Sequence, residues 1–348
     1  MNAASQNLIE KTEAGRALSP AEAEAFMEEL LSGRIATPEI VRILLALNQR
    51  PVSVDELSGF ARIMRRHAAP VFAPDDPRPT GLVDTCGTGG DETGTFNIST
   101  ASAIVAAAAG ARVAKHGNRS VSSRSGSADV LEALGVRIDL PMTAAGRSVR
   151  EIGIGFLFAP AAHAATRHAA PARQQIGTRT IFNLLGPLTN PAGAEAQVLG
   201  VFSADVIDTV ASTLAELGTH RAFVVHGTGG LDEISLCGET QIAEVRDGRV
   251  RRFIVAPEDF GVSRAPLESL RGGTPQDNAN LIRALLAGEP GPRLDIVIAN
   301  TAAALVVTGI AEDFRSAAHL ARRAVSSGKA REKLDQLKTF SQKHAANK

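Results

Sequence analysis

The 348-residue sequence contains no tryptophan and no tyrosine, so its 13 phenylalanines are its whole aromatic content of 4%. Flat side chains that could stack on the bases of single-stranded nucleic acid are therefore scarce. An excess of basic residues is also missing, because 37 Lys and Arg residues are balanced by 37 Asp and Glu residues. These absences argue against nucleic-acid binding through bulk electrostatics, although they leave room for a basic cluster in a cleft.

Cysteines and long apolar runs are scarce as well. Cys86 and Cys237 are the only cysteines, too few for a disulfide framework or a four-sulfur zinc site. The most apolar run, residues 104–109, is far shorter than the ~20 residues needed to span a bilayer. The first 16 residues lack the apolar core of a secretory signal, and no His-Glu-x-x-His zinc motif occurs. We therefore predict a soluble, cytoplasmic protein without a transition-metal centre.

Residues 1–70 have the apolar spacing of consecutive helices and predict a small N-terminal α-helical domain. The motif Ser19-Pro20-Ala21-Glu22 combines an N-cap serine, a proline at the first helical position and a glutamate three residues after the cap. The same capping-box spacing recurs at Ser53–Glu56. No cluster of chemically reactive residues accompanies these helices, which favours a role in packing or dimerisation. The Pro- and Asp-rich residues 71–80 then predict a linker.

From residue 81 onward, short β-like runs alternate with Ala- and Leu-rich helical stretches. This alternation predicts a larger α/β domain over residues 81–348, with a mainly parallel central sheet covered by helices. Ligands of such sheets bind beyond the carboxyl ends of the strands, so the strand-to-helix loops are the candidate site. The predicted strands are 82–83, 113–114, 156–158, 198–201, 222–225 and 296–299, and the predicted helices include 100–109, 128–134 and 206–217.

The loop after the first predicted strand is rich in glycine. It carries Gly-Thr-Gly-Gly-Asp at residues 87–91, followed by Asn-Ile-Ser-Thr at 97–100 and an Ala-rich helix. Glycines allow backbone N–H groups to approach phosphate oxygens, and a helix N-terminus adds a favourable dipole. The spacing matches neither the dinucleotide-binding fingerprint nor a Walker A loop. The hydroxyl and amide side chains beside the glycines favour an anion site over a plain tight turn.

The loop after the second predicted strand is basic. Lys115, His116 and Arg119 fall within residues 115–124 together with an amide and several hydroxyls, and no acid occurs before Asp129. A solvated charged surface usually mixes both signs of charge. Concentrated positive donors at a strand end therefore indicate a site for a polyanionic small molecule.

Two further segments carry charged residues whose roles stay open at this point. Asp232 and Glu233 follow a glycine-rich loop, which suits either Mg²⁺ bound together with substrate phosphates or a solvated turn. Residues 171–191 form an arginine-bearing segment that could act as a hinge, and its Gly- and Pro-containing end, Gly186–Pro191, predicts a turn. Arg167 and Arg173 could clamp a carboxylate from one helical face, but ordinary surface arginines are an equal alternative.

Together, these strings resemble the anthranilate phosphoribosyltransferase family and stand in the family's order over nearly the whole chain. They are GTGGD (87–91), NIST (97–100), KHGNRSVSS (115–123), SGSAD (125–129), RQQIGTRTIFNLLGPLTNP (173–191) and GLDE (230–233). The resemblance implies transfer of a 5-phosphoribosyl group from phosphoribosyl pyrophosphate to the amine of anthranilate, a step of tryptophan biosynthesis that releases pyrophosphate. It also implies two Mg²⁺ ions per subunit and a homodimer joined through the N-terminal helices.

The resemblance also assigns roles by motif position. Mg²⁺ is expected to be held by Ser99, Asp232 and Glu233, and anthranilate to contact Gly87, Asn118 and Arg173. The candidate catalytic residues are two cations that offset charge on the leaving pyrophosphate and one candidate base: Lys115, Arg119 and His116. Phosphoribosyl pyrophosphate is expected to contact Gly87, Gly90, Asp91, Thr95, Asn97, Ile98, Ser99, Thr100, Lys115, His116, Gly117, Asn118, Arg119, Ser120, Val121, Ser122, Ser123 and Ser127.

Two alternative functions compete with this interpretation. A pyrimidine-nucleoside phosphorylase shares the fold class, but it would use phosphate as the acceptor and does not need the carboxylates of Asp232 and Glu233. A non-catalytic, nucleic-acid-binding relative would be expected to have a net basic chain or a degraded metal motif, and neither is found. We therefore expect phosphoribosyl pyrophosphate and anthranilate as partners, and neither nucleic acid nor a membrane.

Overall fold

The computed structural model of the chain describes residues 3–73, 76, 78–90, 93–120 and 124–345. Four residues of the predicted substrate site lie outside these ranges, namely Asp91, Val121, Ser122 and Ser123. Residues 74, 75 and 77 of the predicted linker also lie outside them. Across the described ranges, no helix combines the length and the apolar character needed to cross a membrane.

The N-terminal part of the chain is helical, as predicted. Both predicted capping boxes are present: the Ser19 and Ser53 side chains each accept a hydrogen bond from the backbone N–H three residues on, and the glutamate there accepts one from the N–H of the cap residue. Each box satisfies N–H groups that the start of a helix leaves open. The helices are α1 (Ala3–Glu13), α2 (Pro20–Leu31), α3 (Thr37–Asn48) and α4 (Val54–Arg66).

The described residues that follow contain seven strands: β1 (Leu82–Gly87), β2 (Arg112–Gly117), β3 (Ile154–Phe158), β4 (Ala196–Gly200), β5 (Arg221–Gly227), β6 (Thr240–Arg246) and β7 (Arg249–Val255). They form one sheet in the order β3-β2-β1-β4-β5-β6-β7. The strands from β3 to β5 are parallel to their neighbours, whereas β6 and β7 pair antiparallel. This mainly parallel sheet confirms the predicted α/β fold.

Helices cover the sheet: α5 (Ile98–Ala108), α6 (Ser127–Ala133), α7 (Met142–Ile152), α8 (Ala159–Ala162), α9 (Ala170–Ile176), α10 (Ile181–Leu188), α11 (Ile207–Glu216), α12 (Pro275–Leu286), α13 (Pro292–Val307), α14 (Phe314–Ser326) and α15 (Lys329–His344). Short 3₁₀ helices span Ala164–His168, Ala204–Val206, Pro257–Phe260 and Leu267–Leu270. Alternate residues of β5 enter two different cores, Phe223 and Val225 one and Ala222 and Val224 the other. Because successive strand residues point to opposite faces, both faces of the sheet are buried.

The arginine-bearing segment packs against the N-terminal helices, since α9 contacts α3 and α10 contacts α4. The Asn48 side-chain amide donates a hydrogen bond to the Arg179 carbonyl at 2.8 Å. The Arg65 Nε atom donates one to the Leu188 carbonyl, also at 2.8 Å. Residues from the middle of the chain are thereby fixed to the helical domain, which brings that domain close to the sheet.

Two local predictions differ from the structure. Residues 296–299, predicted as a strand, lie inside α13, where residues 296–307 are all buried. A short apolar run looks the same in a buried strand as in a buried helix, which explains the error. The string Gly186–Pro191 was predicted as a turn, yet α10 continues through Pro187 to Leu188.

The antiparallel β6–β7 hairpin was not predicted, although the sequence contains a signal for it. Its two-residue turn is Asp247-Gly248, and both residues have positive φ angles, 50° and 77°. An Asp-Gly pair with this backbone conformation is typical of a tight hairpin turn.

Candidate active site

A cavity of about 600 Å³ lies beyond the carboxyl ends of β1 and β2 and reaches Met64 of α4. Its lining includes every residue that the sequence assigned to a substrate or a metal and that the structure describes. The role of each residue stays a prediction, but the structure brings them all to one place. They are Gly87, Gly90, Thr95, Asn97, Ile98, Ser99, Thr100, Lys115, His116, Gly117, Asn118, Arg119, Ser120, Ser127, Arg173, Asp232 and Glu233.

Asp232 contacts the glycine loop that follows β1, and each fixes the position of the other. The backbone N–H of Gly89 donates a hydrogen bond to Asp232 Oδ2 at 3.0 Å. A Cβ atom at position 87 would collide with the same oxygen, so only glycine lets β1 end this close to the carboxylate. Gly89 and Gly90 have φ angles of 64° and 73°, a backbone conformation that favours glycine. The glycines therefore allow the loop and the carboxylate to approach closely.

Glu233, which with Asp232 forms the acidic pair, lies at the start of α5. Its Oε1 atom accepts a hydrogen bond from the backbone N–H of Ser99 at 3.0 Å. A carboxylate in this position is also favoured by the helix dipole. The three predicted metal-binding residues, Ser99 and the acidic pair, are thus neighbours.

Lys115 brings a cation to the same end of the cavity. Its side chain is only 4% exposed, and its Nζ atom donates hydrogen bonds to the Thr85 carbonyl at 2.5 Å and to Ser99 Oγ at 3.3 Å. Burial lowers the pKa of Lys115, while the fully buried Asp84 carboxylate and the acidic pair favour the charged form. Asp84 Oδ1 also accepts a hydrogen bond from the backbone N–H of His116 at 3.1 Å, which fixes the start of the basic loop.

The donors gathered here suit Mg²⁺ better than a transition metal. The described part of the chain contains no group of three or more His, Cys, Asp or Glu side chains that could hold a metal ion. The acidic pair and the Ser99 hydroxyl offer oxygen atoms, which are the ligands that Mg²⁺ prefers, and Mg²⁺ usually keeps waters and substrate phosphates as its other ligands. These residues therefore fit a magnesium ion bound together with a phosphorylated substrate.

Arg119 is less directly available to a substrate than its place in the motif suggested. Its Nη1 atom lies 2.9 Å from Asp129 Oδ1 and 2.5 Å from Glu132 Oε2, and the side chain is 49% exposed. The hydrogen bonds that Arg119 donates to Glu132 and Asp129 raise the pKa of Arg119. Asp129 also accepts the backbone N–H of Ser120 at 3.0 Å, so it shapes the basic loop. The cation placed most directly at the acidic pair is therefore the buried Lys115.

Arg173 supplies a second cation from α9. Its side chain is partly buried, and the guanidinium carbon lies 5.2 Å from the centroid of the Phe182 ring. Burial lowers the pKa of Arg173, and within the described ranges this residue has no acidic partner. A partly buried cation that lines a cavity without a carboxylate beside it is suited to bind a carboxylate ligand.

His116 presents a neutral ring to the cavity. The side chain is 7% exposed, and the ring lies 5.2 Å from that of His163, measured between centroids. The Gly186 carbonyl accepts a hydrogen bond from the ring, whereas Nε2 is buried without a partner among the described residues. Burial, together with the nearby His163 and Lys115, lowers the pKa of His116 to about 3. The ring is therefore neutral at pH 7, with Nε2 as a hydrogen-bond acceptor.

Several cavity residues were not predicted from the sequence: Met64, His163, Phe182 and Asn183. Met64 belongs to the helical domain, for which the sequence predicts a role in packing or dimerisation, and no local motif marks it. Phe182 and Asn183 lie within the string that carried the family resemblance, so that string was the available signal. His163 lies outside every string that carried the family resemblance, so the sequence offered no signal for it.

The fold and the site define a two-domain glycosyl transferase. Residues 6–68 match the model of the glycosyl transferase family, helical bundle domain, and residues 79–331 match that of the glycosyl transferase family, a/b domain. The first match covers the N-terminal helices, and the second covers the sheet and most of the cavity.

Relatives that match along nearly the whole chain are anthranilate phosphoribosyltransferases. The enzyme of Symbiobacterium thermophilum is 47% identical over 333 residues and that of Desulforamulus reducens 50% identical over 334 residues; each match covers 96% of both chains. The crystal structure of anthranilate phosphoribosyltransferase from Thermus thermophilus superposes with a TM-score of 0.90 at 43% identity, over 96% of this chain and 99% of that one. The Saccharomyces cerevisiae enzyme in complex with PRPP and Mg superposes with a TM-score of 0.89 at 25% identity, over 99% of both chains. The chain thus belongs to the anthranilate phosphoribosyltransferase family, as the motifs predicted.

Proposed function

We propose that this chain transfers the 5-phosphoribosyl group of phosphoribosyl pyrophosphate to the amine of anthranilate. In this reaction the anthranilate nitrogen bonds to C1 of the ribose, the bond from C1 to the pyrophosphate oxygen breaks, and the amine loses one proton. The observation that carries the proposal is the single cavity lined by all the described residues that the motifs assign to the two substrates.

At one end of the cavity, the chain offers groups that bind and offset phosphate charge. The Lys115 ammonium, the glycine-loop backbone and the N-terminus of α5 are arranged around the acidic pair. Fixed donors of this kind stabilise negative charge as it develops on the leaving pyrophosphate. Ser99, Asp232 and Glu233 would hold Mg²⁺, which when bound neutralises phosphate charge further. Backbone N–H groups already orient both carboxylates, so little rearrangement is needed on binding.

Arg173 is the proposed partner of the anthranilate carboxylate. A guanidinium forms strong, directional hydrogen bonds to a carboxylate. The Phe182 ring beneath the guanidinium and the Met64 side chain supply apolar surface for the arene. Holding the carboxylate and the ring would direct the amine toward the ribose, and such orientation lowers the barrier of a two-substrate reaction.

His116 is better suited to accept a hydrogen bond from the amine than to act as a general base. A base with a pKa of about 3 has little tendency to take a proton at pH 7. An arylamine is already nucleophilic, so the bond to C1 does not require prior deprotonation. The buried Nε2 atom could still orient the amine by accepting one of its N–H groups.

We extend the proposal to a cytoplasmic homodimer that binds two Mg²⁺ ions per subunit. The family resemblance supports the dimer, and Leu45 on α3, which is 43% exposed, is an apolar side chain available to an interface on the N-terminal helices. Cys86 and Cys237 are both free thiols, which suits a reducing compartment. Light scattering reports the subunit number, and calorimetry with Mg²⁺ in the presence of pyrophosphate reports the metal stoichiometry.

The decisive experiment follows the fluorescence of anthranilate in the presence of phosphoribosyl pyrophosphate, with and without Mg²⁺. The expected result is a loss of fluorescence that requires all three components and stops when the metal is chelated. If no Mg²⁺-dependent loss occurs, the proposed function is wrong. A parallel reaction with uridine or thymidine and inorganic phosphate tests the nucleoside phosphorylase alternative, for which we expect no turnover.

A further inference from the structure

A distant segment of the chain supports the end of the glycine loop from behind. Thr95 forms an antiparallel bridge with Arg271. The backbone N–H of Phe96 donates to the Leu270 carbonyl at 3.1 Å, and that of Gly272 donates to the Gly94 carbonyl at 2.9 Å. The loop that carries the predicted phosphate-binding residues is therefore held by backbone bonds to residues 270–272, just ahead of α12.

Asn278 of α12 adds a side-chain connection to this support. It is 1% exposed and does not line the cavity. Its Oδ1 atom accepts a hydrogen bond from the backbone N–H of Gly273 at 2.8 Å, and its Nδ2 atom donates one to Asn97 Oδ1 at 2.9 Å. Because the Gly273 N–H can only donate, it must face the Asn278 oxygen, which leaves the Asn278 amino group to face Asn97.

This orientation is transmitted to Asn97 and from there to the basic loop. Since Asn278 donates to Asn97 Oδ1, the Asn97 amino group must point the other way, where it donates to the Ser125 carbonyl at 3.0 Å. The Ser125 hydroxyl also donates to Asn97 Oδ1 at 3.2 Å. The backbone N–H of Gly273 thus fixes the orientation of the Asn278 amide and, through it, that of the Asn97 amide. Asn97 in turn links the glycine loop to the loop that follows β2.

We infer that Asn278 is a positioning residue for phosphoribosyl pyrophosphate: through Asn97 and Ser125 it holds the two phosphate-binding loops in register without touching the substrate. The inference rests on the proposed function, which assigns Asn97 to that substrate. A substitution at Asn278 should therefore weaken the binding of phosphoribosyl pyrophosphate and leave the binding of anthranilate unaltered.

The substitution Asn278→Asp tests this directly. An aspartate keeps the size of the side chain and the acceptor for the Gly273 N–H, but it places a carboxylate oxygen against Asn97 Oδ1 in place of a donor. Losing this buried hydrogen bond and setting two acceptors against each other should raise the KM for phosphoribosyl pyrophosphate about tenfold. The KM for anthranilate and the kcat at saturation are expected to stay within about twofold of the parent protein. Asn280→Asp, on the exposed side of the same helix, is the matched control and should change neither KM.

A selective rise for phosphoribosyl pyrophosphate supports the inference, since general damage to the fold would affect both substrates. An unchanged KM for phosphoribosyl pyrophosphate, or equal rises for both substrates, would overturn it while leaving the proposed function intact. Parent protein that turns over neither substrate would overturn the proposed function and this inference with it. Should Asn278→Asp fail to fold, Asn278→Ala removes the same donor without adding a charge, and the same pattern of KM values is expected.

Discussion

The substitution Arg173→Ala is expected to weaken anthranilate binding far more than binding of phosphoribosyl pyrophosphate. Arg173 is a partly buried cation over the Phe182 ring with no acidic partner in the described structure, so its charge is available to a ligand carboxylate. A hydrogen bond to a charged group contributes about 1.5–3 kcal/mol. At 1.4 kcal/mol per factor of ten, its loss should raise the KM for anthranilate about 10- to 150-fold.

Steady-state fluorescence kinetics, varying each substrate at saturating levels of the other, measure the two KM values separately. Arg167→Ala is the matched control, because Arg167 also lines the cavity but is exposed and bonded to the Ala164 carbonyl at 3.2 Å. A small effect is expected there. Equal increases in both KM values for Arg173→Ala, or a comparable effect of Arg167→Ala, would refute the assigned role.

Three further predictions concern the metal and the stability of the fold. The double substitution Asp232→Asn with Glu233→Gln should raise the Mg²⁺ concentration for half-maximal activity by at least about tenfold, and an unchanged Mg²⁺ requirement would contradict the site. Gly87→Ala should shift the same Mg²⁺ titration with little change in circular dichroism, because the new methyl group would collide with Asp232 Oδ2. Glu56→Gln should lower the free energy of unfolding in urea by about 3 kcal/mol at pH 7, since it leaves Arg50, whose side chain is only 15% exposed, without the counter-charge of the fully buried Glu56, whereas the exposed Glu216→Gln should change it little. Burial raises the pKa of Glu56, but its arginine partner and backbone donors outweigh this effect and keep the pKa below the ordinary value of 4.5. The stabilisation that the ionised carboxylate provides is therefore present above pH 4.5 and is lost as the pH falls through the lowered pKa. A difference in the free energy of unfolding between Glu56→Gln and Glu216→Gln that persists in acid would contradict this assignment.

Most members of the site could be predicted from the sequence because they lie in short, continuous strings at the ends of strands, whereas Arg173 of α9 was assigned from the family resemblance. Gly87 and Asn97 flank the loop after β1, and Gly117 and Ser127 flank the loop after β2. Parallel neighbouring strands end at the same edge of a sheet, so recognising two such loops is enough to predict that they meet. No long-range information was needed for that step.

The support of the site could not be predicted, because it depends on contacts between distant parts of the chain. Asn278 fixes Asn97, and Asp84 fixes the backbone of His116. In the sequence alone, however, neither residue can be distinguished from an ordinary polar residue of a helix or a strand. The pairing of Arg119 with Asp129 and Glu132 likewise depends on how α6 lies against the basic loop. Motifs therefore identified which residues meet, whereas the geometry determines which of the charges remain available.

This distinction gives the zero net charge of the chain its meaning. A composition counts charges without their positions, and this one is compatible with a surface on which every cation is paired. In the part of the chain that the structure describes, some cations near the cavity are paired with carboxylates and others are not. Arg119 is neutralised by carboxylates outside the cavity, while Lys115 is buried beside the acidic pair and Arg173 has no acidic partner in the described ranges. Because burial makes each remaining charge costly without a ligand, the charges that stay in the cavity are those a polyanion, a carboxylate and a divalent cation would satisfy. A net charge of zero is thus compatible with a strongly charged site. The positions of the buried charges, not their number, favour the binding of a polyanion, a carboxylate and a divalent cation in one cavity.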